Sequence, residues 1–292
     1  MGLAFNSISL TLLSMVVALY PAKSKTMATS TNQTISLFDY KVLSGSLDQI
    51  NFDAKCLINT INQYSYVMAE KDAEFKQALM QSDVLLPDGV AIVAAAKMMN
   101  NDKISKVAGA DIHQFMLEKL NKEGGSCFYL GSSEKTLKLI RERVAVEYPN
   151  IRVGTFSPAY KPEFTDAENA EMVAAVNEFK PDALFVGMTA PKQEKWATKH
   201  KQALNVKTIC SIGAVFDFYA GTVERPAQVW INLNLEWFVR LVKEPKRMWK
   251  RYMYYGPVFI QQMMAQKFKA IFSRPEAKTI TMPTATDYSK AV

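Results

Sequence analysis

Histidine and cysteine are scarce in this 292-residue chain, which holds only His113 and His200 and three cysteines, Cys56, Cys127 and Cys210. The histidines lie far apart in helix-like surroundings, which argues against a histidine-rich metal site and against a Ser-His-Asp triad. The cysteines show neither zinc nor redox spacing and sit in apolar runs, so they read as reduced core residues of a cytosolic protein. Phosphate-binding signatures are missing as well. No G-x-G-x-x-G follows the first strand pattern and no G-x-x-x-x-G-K-[ST] occurs, which removes a dinucleotide oxidoreductase and a P-loop nucleotidase. There is no Asp-x-Asp pair of the kind that chelates a divalent cation across a diphosphate. Acidic residues are outnumbered, 28 Asp and Glu against 35 Lys and Arg, giving a net charge of +7 and a pI near 9.1. That balance implies an anionic partner: nucleic acid, anionic lipid or a phosphate-bearing substrate.

What is present is an alternation of apolar strands, polar turns and helical patterns. The segment Leu3 to Tyr20 is apolar, yet no basic residue precedes it and no clear cleavage site comes after it. Residues 1–35 therefore read either as an anchor, with Lys23 and Lys25 holding the rest of the chain on the cytoplasmic side, or as the result of a start assigned ahead of Met27. From Ser36 the pattern is globular. Cys56 to Thr60 reads as a strand, followed by one long amphipathic stretch from Tyr64 to Met80. Asp83 to Gly89 reads as a second strand with a Pro-Asp-Gly end, then the helical VAIVAAAKMM. Further strands are expected at Ser126 to Ser133, from Ile151, at Ala183 to Val186 and within Val206 to Gly221, with helices at Glu134 to Tyr148 and Phe164 to Phe179. Pro191 is expected as the first residue of another helix. Such alternation predicts an α/β fold, a Rossmann-like, mostly parallel sheet over residues 36–225 with helices on both faces.

In that fold the loops after the strands share one edge of the sheet, where helix amides can hold an anion. Asp88, beside Gly89, is the best candidate for a general base there, and Thr60 and Asn62 emerge at the same edge. For Asn62 a helix N-cap is an equal alternative, and for Asp88 a plain turn residue. Residues 226–270 change character. Arg240, Lys243, Lys246, Arg247, Lys250 and Arg251 are interleaved with Trp230, Trp237, Phe238, Trp249, Tyr252, Tyr254 and Tyr255. Helical spacing places Trp237, Leu241, Met248 and Tyr252 on one face and Arg240, Lys243, Arg247 and Lys250 on another. This basic, aromatic appendage suits an anionic membrane surface; the alternatives are a packed C-terminal helix pair with a solvated basic face and, more weakly, a nucleic-acid contact. Removing it from about Leu235 is expected to leave the core folded. Residues 271–292 read as a polar, disordered tail.

Several motifs in order, NTIN (Asn59 to Asn62), LPDGVAIVAAA, VAGADI, FYLG, LFVGMTAPKQEKW, IGAVFDFYAG and LEWFVRLVKEPKRMWKRY, resemble the bacterial WecG/TagA/CpsF glycosyltransferases. The resemblance runs from about Leu57 to Tyr252. It implies a metal-independent, cofactor-free inverting enzyme that moves N-acetylmannosamine, its uronic acid or glucose from a UDP-sugar to a polyprenyl-diphosphate-linked sugar. It further implies a cytoplasmic protein, peripheral on the inner face of the cell membrane, with which self-association is compatible. By matching position, Asp88 would be the catalytic base, Thr60, Asn62 and Gln193 substrate contacts, and Arg240, Arg247 and Arg251 (or Lys250) cations for the diphosphate. Thr189 and Ala214 replace glycines common in the family and are expected to tighten the nucleotide pocket. The alternative from another class is a non-catalytic module that holds anionic lipid or nucleic acid through the same C-terminal block.

Overall fold

The structure, a computed structural model, describes residues 32–272 except 225, 228, 231, 232 and 234; the side chains of residues 247, 270 and 271 are likewise outside it. Expectations for residues 1–31 and for the tail from residue 273 lie outside the described residues.

The described chain opens with an antiparallel hairpin, β1 (Thr34–Leu37) and β2 (Tyr40–Leu43), too short to stand out as a pattern in the sequence. Six parallel strands follow: β3 (Cys56–Ile61), β4 (Val84–Pro87), β5 (Ser126–Gly131), β6 (Arg152–Phe156), β7 (Ala183–Gly187) and β8 (Thr208–Ser211). Their spatial order is β4-β3-β8-β7-β5-β6. Strands β4, β5 and β7 are buried along their whole length, as strands covered on both faces must be, and this explains their unbroken apolar runs.

Helices fill both faces. On one face Ile58, Leu86, Tyr129 and Phe185 pack against α4 (Gly109–Glu123), α5 (Glu134–Glu147) and α8 (Gly213–Tyr219). On the other, Leu57, Phe128, Leu184 and Ile209 meet α6 (Asp166–Phe179) and α7 (Lys192–His200). Adjacent residues such as Leu57 and Ile58 thus serve opposite layers, as the period of two requires. A third cluster joins Ile61 and Leu85 to α1 (Gln63–Ala69), α2 (Ala73–Met80), α3 (Val90–Asn100) and the hairpin. The α/β fold with a parallel sheet and helices on both faces is therefore as the sequence predicts.

Local departures have local causes. The stretch from Tyr64 to Met80 is two helices, because Asp72 caps a second start with Oδ1 accepting from Phe75 N at 3.0 Å. Pro191 lies just outside α7, with φ −89° and ψ 1°, and the turn closes instead through Lys192 N to Thr189 O at 3.0 Å. Val206 to Gly221 holds a strand and then α8, a helix the aromatic composition of GAVFDFY conceals.

The C-terminal appendage consists of α9 (Glu236–Lys243), α10 (Pro245–Trp249), a π-helical turn over Lys250–Tyr254 and α11 (Tyr255–Phe272). Pro245 opens α10 at the position where its missing N–H costs nothing. Residues 271 and 272 thus continue a helix where the sequence suggests a tail. The shared face expected for Trp237, Met248 and Tyr252 is present in part: Met248 is 1% exposed, and the Trp237 and Tyr252 rings are 5.7 Å apart.

Packing argues against one expectation, that the core folds without the appendage. Tyr255, Phe259 and Met263 of α11 are buried in the cluster that holds Tyr66 and Leu37, and Gln266 Nε2 donates to Tyr66 OH at 2.8 Å. Burying each such side chain contributes about 1.5–3 kcal/mol. Deletion from Leu235 would uncover the core, so α11 is part of the folded unit rather than a detachable arm.

Candidate active site

The carboxyl ends of β4, β3, β8 and β7 are neighbours in the sheet, and Asp88, Asn62, Gly213 and Gln193 come after them in turn. The edge is not continuous. β3 and β8 pair only at Cys56–Thr208, Leu57–Ile209 and Ile58–Cys210, after which β3 runs on for three residues without a β8 partner. β8 ends at Ser211, so the carboxyl end of β3 stands beyond its neighbour at the edge where open α/β sheets bind ligands.

Asp88 is placed by backbone. Its N–H donates to Ile61 O at 2.9 Å, which ties the end of β4 to the end of β3. Gly89 then turns with φ +131°, a conformation that favours glycine, and starts α3. As a residue Asp88 is partly exposed, yet its carboxylate is enclosed by protein. Burial pushes it up to about 6, opposed by Lys106, Arg251 and Arg240 and reinforced by Glu236. A base that is mostly ionised near neutrality and still basic enough to accept a proton is matched to general base catalysis.

Two of the expected cations converge on this carboxylate from the appendage. Arg240 of α9 lies over the Phe218 ring at 5.2 Å, and Arg251 of the π-helical turn lies over the Tyr64 ring at 4.8 Å. Each is anchored on an aromatic residue from a segment that comes after a sheet strand, one after β8 and one after β3. Arg240 Nε is buried with no hydrogen-bond partner among the described residues. Of the two neighbouring candidates, Arg251 acts on Asp88, whereas Lys250 is exposed. Arg247 falls in α10, and its side chain lies outside the described residues. Arg240 also lines a cavity of about 290 Å³ with Phe218, Thr222, Pro226 and Lys243.

Lys106 carries no signal in the sequence, and it is the strongest of the cationic influences on Asp88. The reason it arrives there is a backbone bond: Val107 N donates to Pro87 O at 3.0 Å, laying the segment before α4 along the end of β4. Lys106 then pairs with Glu236 of α9 at 3.1 Å and so links core to appendage. VAGADI marks this stretch in the sequence; a lysine just ahead of it has no distinctive spacing.

The remaining expected contacts take up definite roles. Asn62 is the N-cap of α1: Oδ1 accepts from Tyr64 N and Ser65 N at 3.1 and 3.0 Å, and Asn62 N donates to Ser65 Oγ at 2.8 Å. The cap occupies the oxygen of the side chain and leaves its Nδ2 hydrogens available. Thr60, opposite Leu86 in the ladder, is partly exposed one step from the same edge. Gln193 is buried, with Oε1 accepting from Gly213 N at 3.1 Å and Nε2 donating to Glu194 Oε1 at 2.9 Å. Thr189 and Ala214 both expose their side chains, so neither crowds the protein itself. His113 is a core residue, with Nε2 2.8 Å from Tyr129 OH and its ring pushed down to about 3 by burial; the three cysteines are buried and free. Among the described residues, no three His, Cys, Asp or Glu side chains gather to hold a metal.

The profile of the Glycosyl transferase WecG/TagA/CpsF family matches residues 32–272. An N-acetylglucosaminyldiphosphoundecaprenol N-acetyl-beta-D-mannosaminyltransferase of Bacillus subtilis is 31% identical over 221 residues, 75% of this chain and 84% of its own. Enzymes of the same name from Bacillus spizizenii and Staphylococcus aureus are 28% identical over 183 residues and 25% identical over 173 residues, covering 63% and 59% of this chain and 69% and 66% of theirs. With a parallel sheet whose carboxyl edge assembles the expected carboxylate and cations, and a profile match that spans most of its length, the chain belongs to the WecG/TagA/CpsF family of glycosyltransferases.

Proposed function

We propose that the enzyme transfers N-acetylmannosamine from a UDP-sugar to N-acetylglucosamine carried on a polyprenyl diphosphate, with inversion and without a metal. The observation that carries this reading is the enclosed Asp88 under the influence of Lys106, Arg240 and Arg251 at the open end of the sheet. In the step proposed, a hydroxyl oxygen of the acceptor sugar attacks the anomeric carbon from the face opposite the nucleotide. Its proton passes to the Asp88 carboxylate, the new glycosidic bond forms, and the bond from the anomeric carbon to the diphosphate breaks. UDP leaves with the electron pair, and the Arg and Lys side chains neutralise the charge that develops on it. The sugar follows the activity for which the relatives are named.

The membrane role belongs to this proposal too. No helix among the described residues is long and apolar enough to cross a membrane. Instead α11 buries one face in the core and exposes Ile260, Met264, Phe268 and Phe272 at intervals of four residues on another. Trp249, Met253 and Tyr254 are exposed just before it, with Lys246 and Lys250 exposed alongside. An apolar stripe flanked by cations suits the interface of an anionic bilayer, and would bring the site to a lipid-borne acceptor at the inner face of the cell membrane. The test is turnover of UDP-N-acetylmannosamine with a synthetic lipid-diphosphate N-acetylglucosamine. Formation of a β-linked disaccharide lipid is expected, and α-linkage or absence of transfer in the presence of acceptor overturns the reading.

A further inference from the structure

Gln193 and Glu194 open α7, 6% and 3% exposed, against the start of α8. The orientation of the Gln193 amide comes from chemistry. Gly213 N–H can only donate, so the amide oxygen must face it, and Nε2 is thereby turned to Glu194 Oε1. Gly213 itself leaves room for this contact, since a Cβ there would collide with Gln193 Oε1 and approach Met188 O to 2.7 Å. With its oxygen bound to Gly213 and one hydrogen to Glu194, the amide has a single hydrogen to offer a ligand. Glu194 Oε2 and Ser211 Oγ, the latter at the end of β8 two residues before Gly213, are buried without a hydrogen-bond partner among the described residues.

We propose that Glu194 is a positioning residue that fixes the Gln193 amide so that it presents an N–H, and never its carbonyl, to the nucleotide sugar. The site then selects a hydrogen-bond acceptor on the donor substrate: a hydroxyl, carbonyl or phosphoryl oxygen. This rests on the proposed function and on Gln193 as the substrate contact that the family resemblance implies. Without Glu194 the amide keeps one of its two restraints and swings about its last torsion, so the N–H is no longer held in place for the incoming sugar. Burial pushes the Glu194 carboxyl up to about 7, so a neutral amide at this position is a close chemical substitute and supplies the same acceptor oxygen.

The experiment compares Glu194→Leu, Glu194→Gln, Gln193→Ala and the double variant Gln193→Ala/Glu194→Leu, by calorimetric binding of the UDP-sugar and by steady-state kinetics in that substrate. Glu194→Leu is expected to weaken donor binding about tenfold and raise its KM by a similar factor, with kcat little changed, because one hydrogen-bond restraint is lost. Glu194→Gln is expected to restore the affinity to within about threefold of the parent, as an acceptor oxygen is returned. In the Gln193→Ala background the Leu substitution is expected to have no further effect, since the two act as a unit. Should Glu194→Leu fail to fold, Glu194→Ala takes its place, read at a temperature where circular dichroism shows the native spectrum. An unaltered donor affinity in the Leu or Ala variant, a Gln variant as weak as Leu, or an effect that persists without Gln193 each overturns the inference. If the parent protein binds no UDP-sugar, the functional reading fails first and takes this one with it.

Discussion

Replacing Asp88 by asparagine should cut turnover steeply and at the same time make the protein more stable, in a way that depends on pH. Burial raises the folded-state carboxyl from 3.8 to about 6. The folded protein therefore holds this proton more tightly than the unfolded chain. The stability associated with the group is full below the unfolded value and is lost as pH rises through the folded one. A rise of roughly two units corresponds to up to about 3 kcal/mol near pH 8, and linkage leaves about half of that near pH 5. Asparagine has a similar shape and no charge to desolvate, so Asp88→Asn should exceed the parent by about 3 kcal/mol near pH 8 and by about 1.5 kcal/mol near pH 5. Urea unfolding monitored by circular dichroism at several pH values measures the difference, and turnover at each pH is read in parallel. A loss of general base catalysis should cost about 10²–10⁴-fold in kcat. The reasoning is refuted if the variant is no more stable than the parent near pH 8, if the difference does not shrink on acidification, or if a folded variant turns over at the parental rate.

Other expectations rest on the same geometry. The kcat/KM of the parent should rise with the loss of one proton near pH 6, and a profile flat from about pH 5 to 8 would remove Asp88 as the base. Arg240→Ala and Arg251→Ala should each lower kcat about 10²-fold, since they remove charge stabilisation of the leaving diphosphate; losses confined to KM would make them binding groups only. Triple replacement of Ile260, Met264 and Phe268 by serine should abolish sedimentation with anionic vesicles while leaving the unfolding midpoint unchanged, because these side chains face away from the core. Activity should survive EDTA, and its loss with recovery on adding Mg²⁺ or Mn²⁺ would end the metal-independent reading.

The sheet is legible in the sequence because its strands are buried on both faces and so write themselves as apolar runs; LFVG and VLLP could hardly be anything else. The edge that carries the candidate site is legible for the same reason, since parallel strands place the residues after them on one side. The features that sequence conceals depend on contacts between distant segments. Lys106 reaches Asp88 through a backbone bond to Pro87 that no periodicity announces. α11 shares its apolar character between a core face and an open one, so composition alone suggests an arm where packing shows a structural helix. Glu194 looks like an ordinary first-turn acid, and only its enclosure beside Gln193 distinguishes it.

The short ladder between β3 and β8 divides the enzyme along a seam. On one side, β3 and β4 with their cross-strand bond from Asp88 to Ile61 carry the Asp88 carboxylate on a paired backbone platform. On the other, β7 and β8 carry the Gln193–Gly213 clasp. Because the two platforms share only three paired residues near the bottom of the sheet, the loops of one can be lengthened or replaced without shifting the register of the other. On the roles proposed for Asp88 and Gln193, proton acceptance and donor recognition sit on separate platforms of one sheet.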